Sequence, residues 1–177
     1  MQTNTSHSTV NCHWKKLLRL VSAILLGAAL LVPHSVAAAP PSVVATISGG
    51  GTASMEDGMG RSIFGLGVKL LSDGSATGHI HCVDQEGSTF PGNIFGEVTT
   101  WSTEDGGATV VLNVIGKFVP IAGSAGVPGG HPQDTSFTVR IQQFGGAGVG
   151  HWTLEVPGFG TICYELLTSG QIVLRLE

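Results

Sequence analysis

The chain has 177 residues, 42 % of them hydrophobic and 11 % charged, with a formal net charge of −4 at pH 7. That length fits one domain with a real core. The acidic balance weighs against nucleic acid, whose phosphates need a basic patch, and against docking on anionic lipid.

The N-terminus reads as a targeting segment. Lys15, Lys16 and Arg19 form a positive start, and Leu20 to Val32 then carries no charge. A membrane span needs about 20 apolar residues, so this run suits the hydrophobic part of a signal peptide. An uncleaved N-terminal anchor is the alternative. Val36-Ala37-Ala38 offers small residues for cleavage. Cutting after Ala38 leaves Ala39 first, with Ala37 as the alternative, and cutting after Ala39 would leave an unfavourable Pro40. The expectation is a signal peptide over 1–38 and a single all-β domain over 39–177, exported to the periplasm, the cell surface or the medium. Three of the eight basic residues leave with the leader, and none of the twelve acidic residues precedes Glu56, so the mature charge is near −7. Cys12 also leaves, and no second long apolar run follows. The mature form is therefore expected not to insert into a membrane.

Beyond the leader, helix signals are almost absent. Runs of β-branched residues bounded by Gly, Asp and Ser predict strands near 42–48, 62–71, 75–84, 93–102, 108–118, 135–144, 150–156, 161–168 and 171–176. Their regular spacing predicts an antiparallel β-sandwich or barrel of about eight to nine strands. Val119 to Asp134, rich in glycine and proline, reads as a long loop.

Two turns set register. With Ser72-Asp73-Gly74 as a three-residue loop, Phe64 falls opposite Cys82, Leu66 opposite Ile80 and Val68 opposite Gly78. The other face then pairs Gly65 with His81 and Gly67 with His79. With Thr168-Ser169-Gly170 as a second hairpin loop, Leu166 falls opposite Ile172 and Tyr164 opposite Leu174. That reading leaves Cys163 and Glu165 on the outer face beside Arg175.

Three segments stand out together: ISGGGTA (47–53), FGLGVKLLSDGSATGHIHCVD (64–84) and LTSGQIVLRL (167–176). Their order resembles a group of small glycine-rich all-β modules of exported bacterial proteins. These open on a glycine triplet, continue with an aromatic-Gly-hydrophobic strand and close on a Gly-x-Ile strand. The resemblance implies a β-sandwich-like fold and export. It implies no activity and supplies no catalytic residue.

The residues with chemistry are few. His79 and His81 alternate on one strand, which places both imidazoles on one face about 7 Å apart. With His151 as a third ligand they would suit zinc or copper; the plainer reading is surface histidines. Cys82 and Cys163 are the two cysteines left in an exported domain, a reasonable disulfide pair. Such a bond would close a loop of about 80 residues and could stabilise by about 4 kcal/mol. The register opposes it, although a bulge near Gly160 would turn Cys163 toward the core. The alternative is Cys82 as a small buried hydrophobe and Cys163 as a separate thiol. His81 and Cys82 are adjacent on a strand and point oppositely, so they form no catalytic dyad. The carboxylate pairs Glu56-Asp57, Asp84 with Glu86, and Glu104-Asp105 read as solvated turns. Trp101, Phe144 and Trp152 would need to surround an open cleft to bind a small molecule or glycan. The sequence thus points to an exported, non-catalytic module of structural or binding role, with a metal site and a small-molecule or glycan site as alternatives.

Overall fold

The structure, a computed structural model, describes residues 39–56, 58, 60–84, 92–121, 131–158 and 160–177. The expected leader, and most of the expected long loop after Val119, lie outside the described residues. Among those described, ten strands run in chain order: β1 (Val43–Met55), β2 (Arg61–Leu71), β3 (Ala76–Asp84), β4 (Gly92–Glu104), β5 (Thr109–Pro120), β6 (Gln133–Gln143), β7 (Gly145–Gly146), β8 (His151–Val156), β9 (Gly160–Leu167) and β10 (Gln171–Leu176).

Pairing follows the order β2-β3-β4-β5-β6-β8-β9-β1, and β1 pairs again with β2. Eight antiparallel strands therefore close into a barrel. β10 pairs with Ala45 to Gly50 of β1, and the two-residue β7 pairs with β10, adding two further strands to the sheet. Each of the nine expected strands is present, and the two-residue β7 is additional. β1 runs seven residues past its expected end, because it must reach β9 as well as β10.

Strand alternation sorts the side chains. Phe64, Leu66, Val68, Ile80, Ile94, Leu112, Val114, Phe137, Val139, Ile141, Trp152 and Leu154 are buried in one core. Lys69, His79, His81, Glu97, Asn113 and Lys117 are exposed on the outside. An eight-stranded barrel has room for little more than its own side chains, and here those side chains are large and apolar.

The β2–β3 hairpin has the register that its turn predicts. Phe64 faces Cys82, Leu66 faces Ile80, Gly65 faces His81 and Gly67 faces His79. Gly74 takes the left-handed conformation, φ 83°, that a three-residue loop requires. The second expected hairpin does not form. β10 pairs with β1, Ile47 facing Leu174 and Gly49 facing Ile172, while β9 pairs with β8 and with the end of β1. Thr168-Ser169-Gly170 joins two strands that separate rather than two that zip together.

The glycine triplet has its explanation at this fork. β1 passes from β10 to β9 between Gly50 and Ala53. A Cβ on Gly170, whose φ is 78°, would overlap the carbonyl oxygen of Gly50. Gly170→Ala is therefore expected to destabilise by more than about 1 kcal/mol, since both φ and space oppose the methyl. Urea unfolding measures it; an unchanged midpoint would mean that the fork tolerates a side chain.

Candidate functional site

The polar groups buried inside the barrel gather at one end, where β2 begins, β3 ends and β9 begins. Cys82 and Asp84 follow Ile80 on the inward face of β3. Ser62 opens β2 directly opposite Asp84. Cys163 and Glu165 lie on the inward face of β9, facing Leu154 and Trp152 of β8.

Cys163 faces inward with Glu165 and Leu167, and β9 carries a bulge just before it. Glu155 pairs with Thr161 but Leu154 pairs with Cys163, so Ile162 is the extra residue. The inward orientation overturns the outer placement of Cys163 and Glu165 beside Arg175. Asp84 is also corrected: it is an inward-facing residue of β3, not part of a solvated turn.

β3 and β9 are not neighbours in the sheet, since β2 and β1 lie between them. Their side chains meet through the barrel interior. Cys82 Sγ, Cys163 Sγ and a Glu165 carboxylate oxygen all lie within 4.8 Å of one another. Cys163 Sγ is 3.9 Å from Asp84 Oδ2. Glu165 is 0 % exposed, Cys163 1 %, Cys82 2 % and Asp84 5 %. Both thiols are free.

Ser62 Oγ donates to Glu165 Oε2 at 2.5 Å, while Glu165 Oε1 is buried without a hydrogen-bond partner. Among the described residues, no lysine, arginine or histidine forms an ion pair with Glu165. Burial pushes its carboxyl up to about 7; the Ser62 hydrogen bond opposes that rise and the charge of Asp84 adds to it. The Cys163 thiol is pushed up by its hydrogen bond with Cys82, by burial and by the nearby negative groups. Acidic groups from β3 and β9 are thus held together in an apolar interior, where burial disfavours their charged forms.

The histidines are not brought together. His79 and His81 are exposed on the outer face of β3, opposite Glu97 and Phe95 of β4. His151 lies on β8, with three strands between it and β3 in either direction around the barrel. The expected His79, His81, His151 ligand set for zinc or copper therefore does not form. His81 instead covers Gly65, where an added Cβ would come within 2.5 Å of its Cε1. His151 is buried edge-on to Tyr164, ring centroids 4.6 Å apart, with Nε2 3.1 Å from Glu56 Oε1.

The aromatic candidates form no platform. Trp152 lies inside the barrel, 5.3 Å from Phe64 between ring centroids. Trp101 packs against the core and donates its indole N–H to the Leu71 carbonyl, and Phe144 also packs against the core.

Glu165 is the residue that sequence reasoning missed, and its signal was parity. Cys163, Glu165 and Leu167 alternate, and Leu167 is an obvious core residue. Counting back from it, rather than forward from the assumed hairpin, turns all three inward.

No family model, no curated protein and no solved structure matches the chain.

Proposed function

We propose that this protein is an exported, non-catalytic β-barrel with a structural or binding role. One observation carries the reading: the barrel interior is occupied by its own side chains. Phe64, Leu66, Ile80, Val139, Ile141, Trp152 and Ile172 converge on the axis where a carrier barrel would hold its ligand. Binding in this reading uses the outer surface. Polar residues dominate that surface and apolar ones the interior, the reverse of a barrel built to face lipid. The positive start, uncharged run and small residues before Ala39 support export.

An environment-sensitive apolar dye such as anilinonaphthalene sulfonate tests the filled interior. The folded mature protein is expected to give no saturable fluorescence increase; one tight site per chain would return the molecule to the small-molecule carriers. Export is tested separately by the mass of protein recovered outside the cytoplasm. A chain beginning at Ala39 is expected, and one retaining residues 1–38 would defeat that part of the reading.

A further inference from the structure

We propose that Cys82, Cys163 and Glu165 form a binding site for a zinc ion in the barrel interior, with the Asp84 carboxylate beside Cys163. This goes beyond the exported-barrel reading, which stands or falls without it.

The donor set is the first argument. Two thiols and a carboxylate from non-adjacent strands converge within 4.8 Å. A tetrahedral zinc site sets such atoms about 3.5–3.8 Å apart, so closure needs a contraction of about 1 Å. The Cys163 Sγ to Asp84 Oδ2 distance, 3.9 Å, is already close to that edge. Paired thiolates with carboxylate oxygens suit a borderline-soft ion without redox chemistry better than calcium or magnesium, which prefer oxygen alone.

Charge is the second argument. Buried acids are normally paired with a cation or bound to a metal. Glu165 has neither an ion pair among the described residues nor a partner for Oε1. A disulfide would account for the thiols alone and leave that carboxyl oxygen as it is. A divalent ion accounts for thiols and carboxyl together. Ser62, bonded to Glu165 Oε2, leaves Oε1 to face the ion and fixes the carboxylate plane, the usual role of a group behind a ligand.

The protons balance simply. Each cysteine gives up its S–H proton to solvent as its sulfur bonds the ion, and Glu165 releases its own where it still holds one. Binding therefore releases two to three protons and tightens as pH rises. With every donor buried, the site is structural in type, open to no substrate.

The test uses the mature chain, reduced and stripped with chelator, then loaded with zinc or with cobalt as a coloured substitute. The expected result is one ion per chain and, with cobalt, the intense visible bands and near-ultraviolet sulfur charge transfer of a tetrahedral thiolate site. Cys82→Ser or Cys163→Ser should weaken binding by at least about 100-fold, and Glu165→Gln by about 10–100-fold. The His79→Ala/His81→Ala double variant should bind as the parent does. Circular dichroism in chelator checks that each variant folds, and Glu165→Gln, which keeps the side-chain shape, serves if a serine variant does not. Failure of the folded, reduced parent to bind one ion, or to show sulfur charge transfer, overturns the proposal. So does a Cys82–Cys163 disulfide, found by thiol titration under denaturing conditions in protein recovered after export.

Discussion

Trp152→Ala should lower the folding free energy by about 3–5 kcal/mol, the range for deleting a large aromatic from a closed core. Trp152 is 1 % exposed and sits on the barrel axis against Phe64. Its neighbours Val139, Ile141 and Leu154 are held in hydrogen-bonded strands of a closed sheet. They cannot move inward to fill the space without breaking those ladders. The cavity term should therefore be felt nearly in full. For a domain of this size the melting temperature should drop by on the order of 10 °C or more. Trp152→Phe should cost less than half as much. It keeps a ring against Phe64, and it removes an indole N–H that is buried with no hydrogen-bond partner. Urea unfolding of both variants decides the matter; a loss below about 1 kcal/mol for the alanine would mean that the barrel collapses onto the gap.

The second large effect is a pH dependence that runs opposite to that of most carboxylates. In the metal-free, reduced protein, Glu165 ionises at about 7 instead of the ordinary 4.5. Between those values the native state holds one proton more than the unfolded chain. Stability should therefore fall as pH rises through that window, by about 3 kcal/mol in total, and level off above it. Glu165→Gln removes the titrating group and should flatten this part of the profile. At pH 8 the variant should then be the more stable of the two. Chemical denaturation at pH 4.5, 6 and 8 tests this. A parent protein that gains stability over that range would mean that Glu165 is ionised and satisfied in the native state. Zinc binding would reverse the slope, since the ligands must lose their protons to hold the ion.

What could be read from the sequence depended on how far apart the interacting residues lie. The β2–β3 register was legible because a three-residue turn fixes it locally and the apolar alternation agrees. The same logic failed at Thr168-Ser169-Gly170, where a similar turn joins strands that pair elsewhere. Barrel closure decides that case, with Ala53 of β1 meeting Leu167 of β9. No short-range pattern encodes such a meeting. The site was legible in part for the same reason. Cys82 was assigned to the core from its own hairpin. Cys163 and Glu165 share the parity of Leu167, and the hairpin assumed at Thr168-Ser169-Gly170 put both on the wrong face. His151 had the right outward orientation, since Trp152 and Leu154 fixed its parity. Its distance from His79 and His81 follows from strand order around the barrel, which parity does not reveal.

The fork at β1 also bears on the order of assembly. One edge of β1 can pair at once with β2, its nearest neighbour in sequence. The other edge must wait for β9 and β10, more than a hundred residues later. While the chain is still being synthesised, that edge would be an open template, with main-chain amides and carbonyls unpaired. Contacts this distant are also slow to form. The glycine triplet occupies this waiting edge. With no side chains to cement a foreign strand, it lowers the gain from a mistaken pairing while keeping the close fit that the last two strands need. The feature that lets the finished barrel close so tightly is equally a safeguard for the unfinished one.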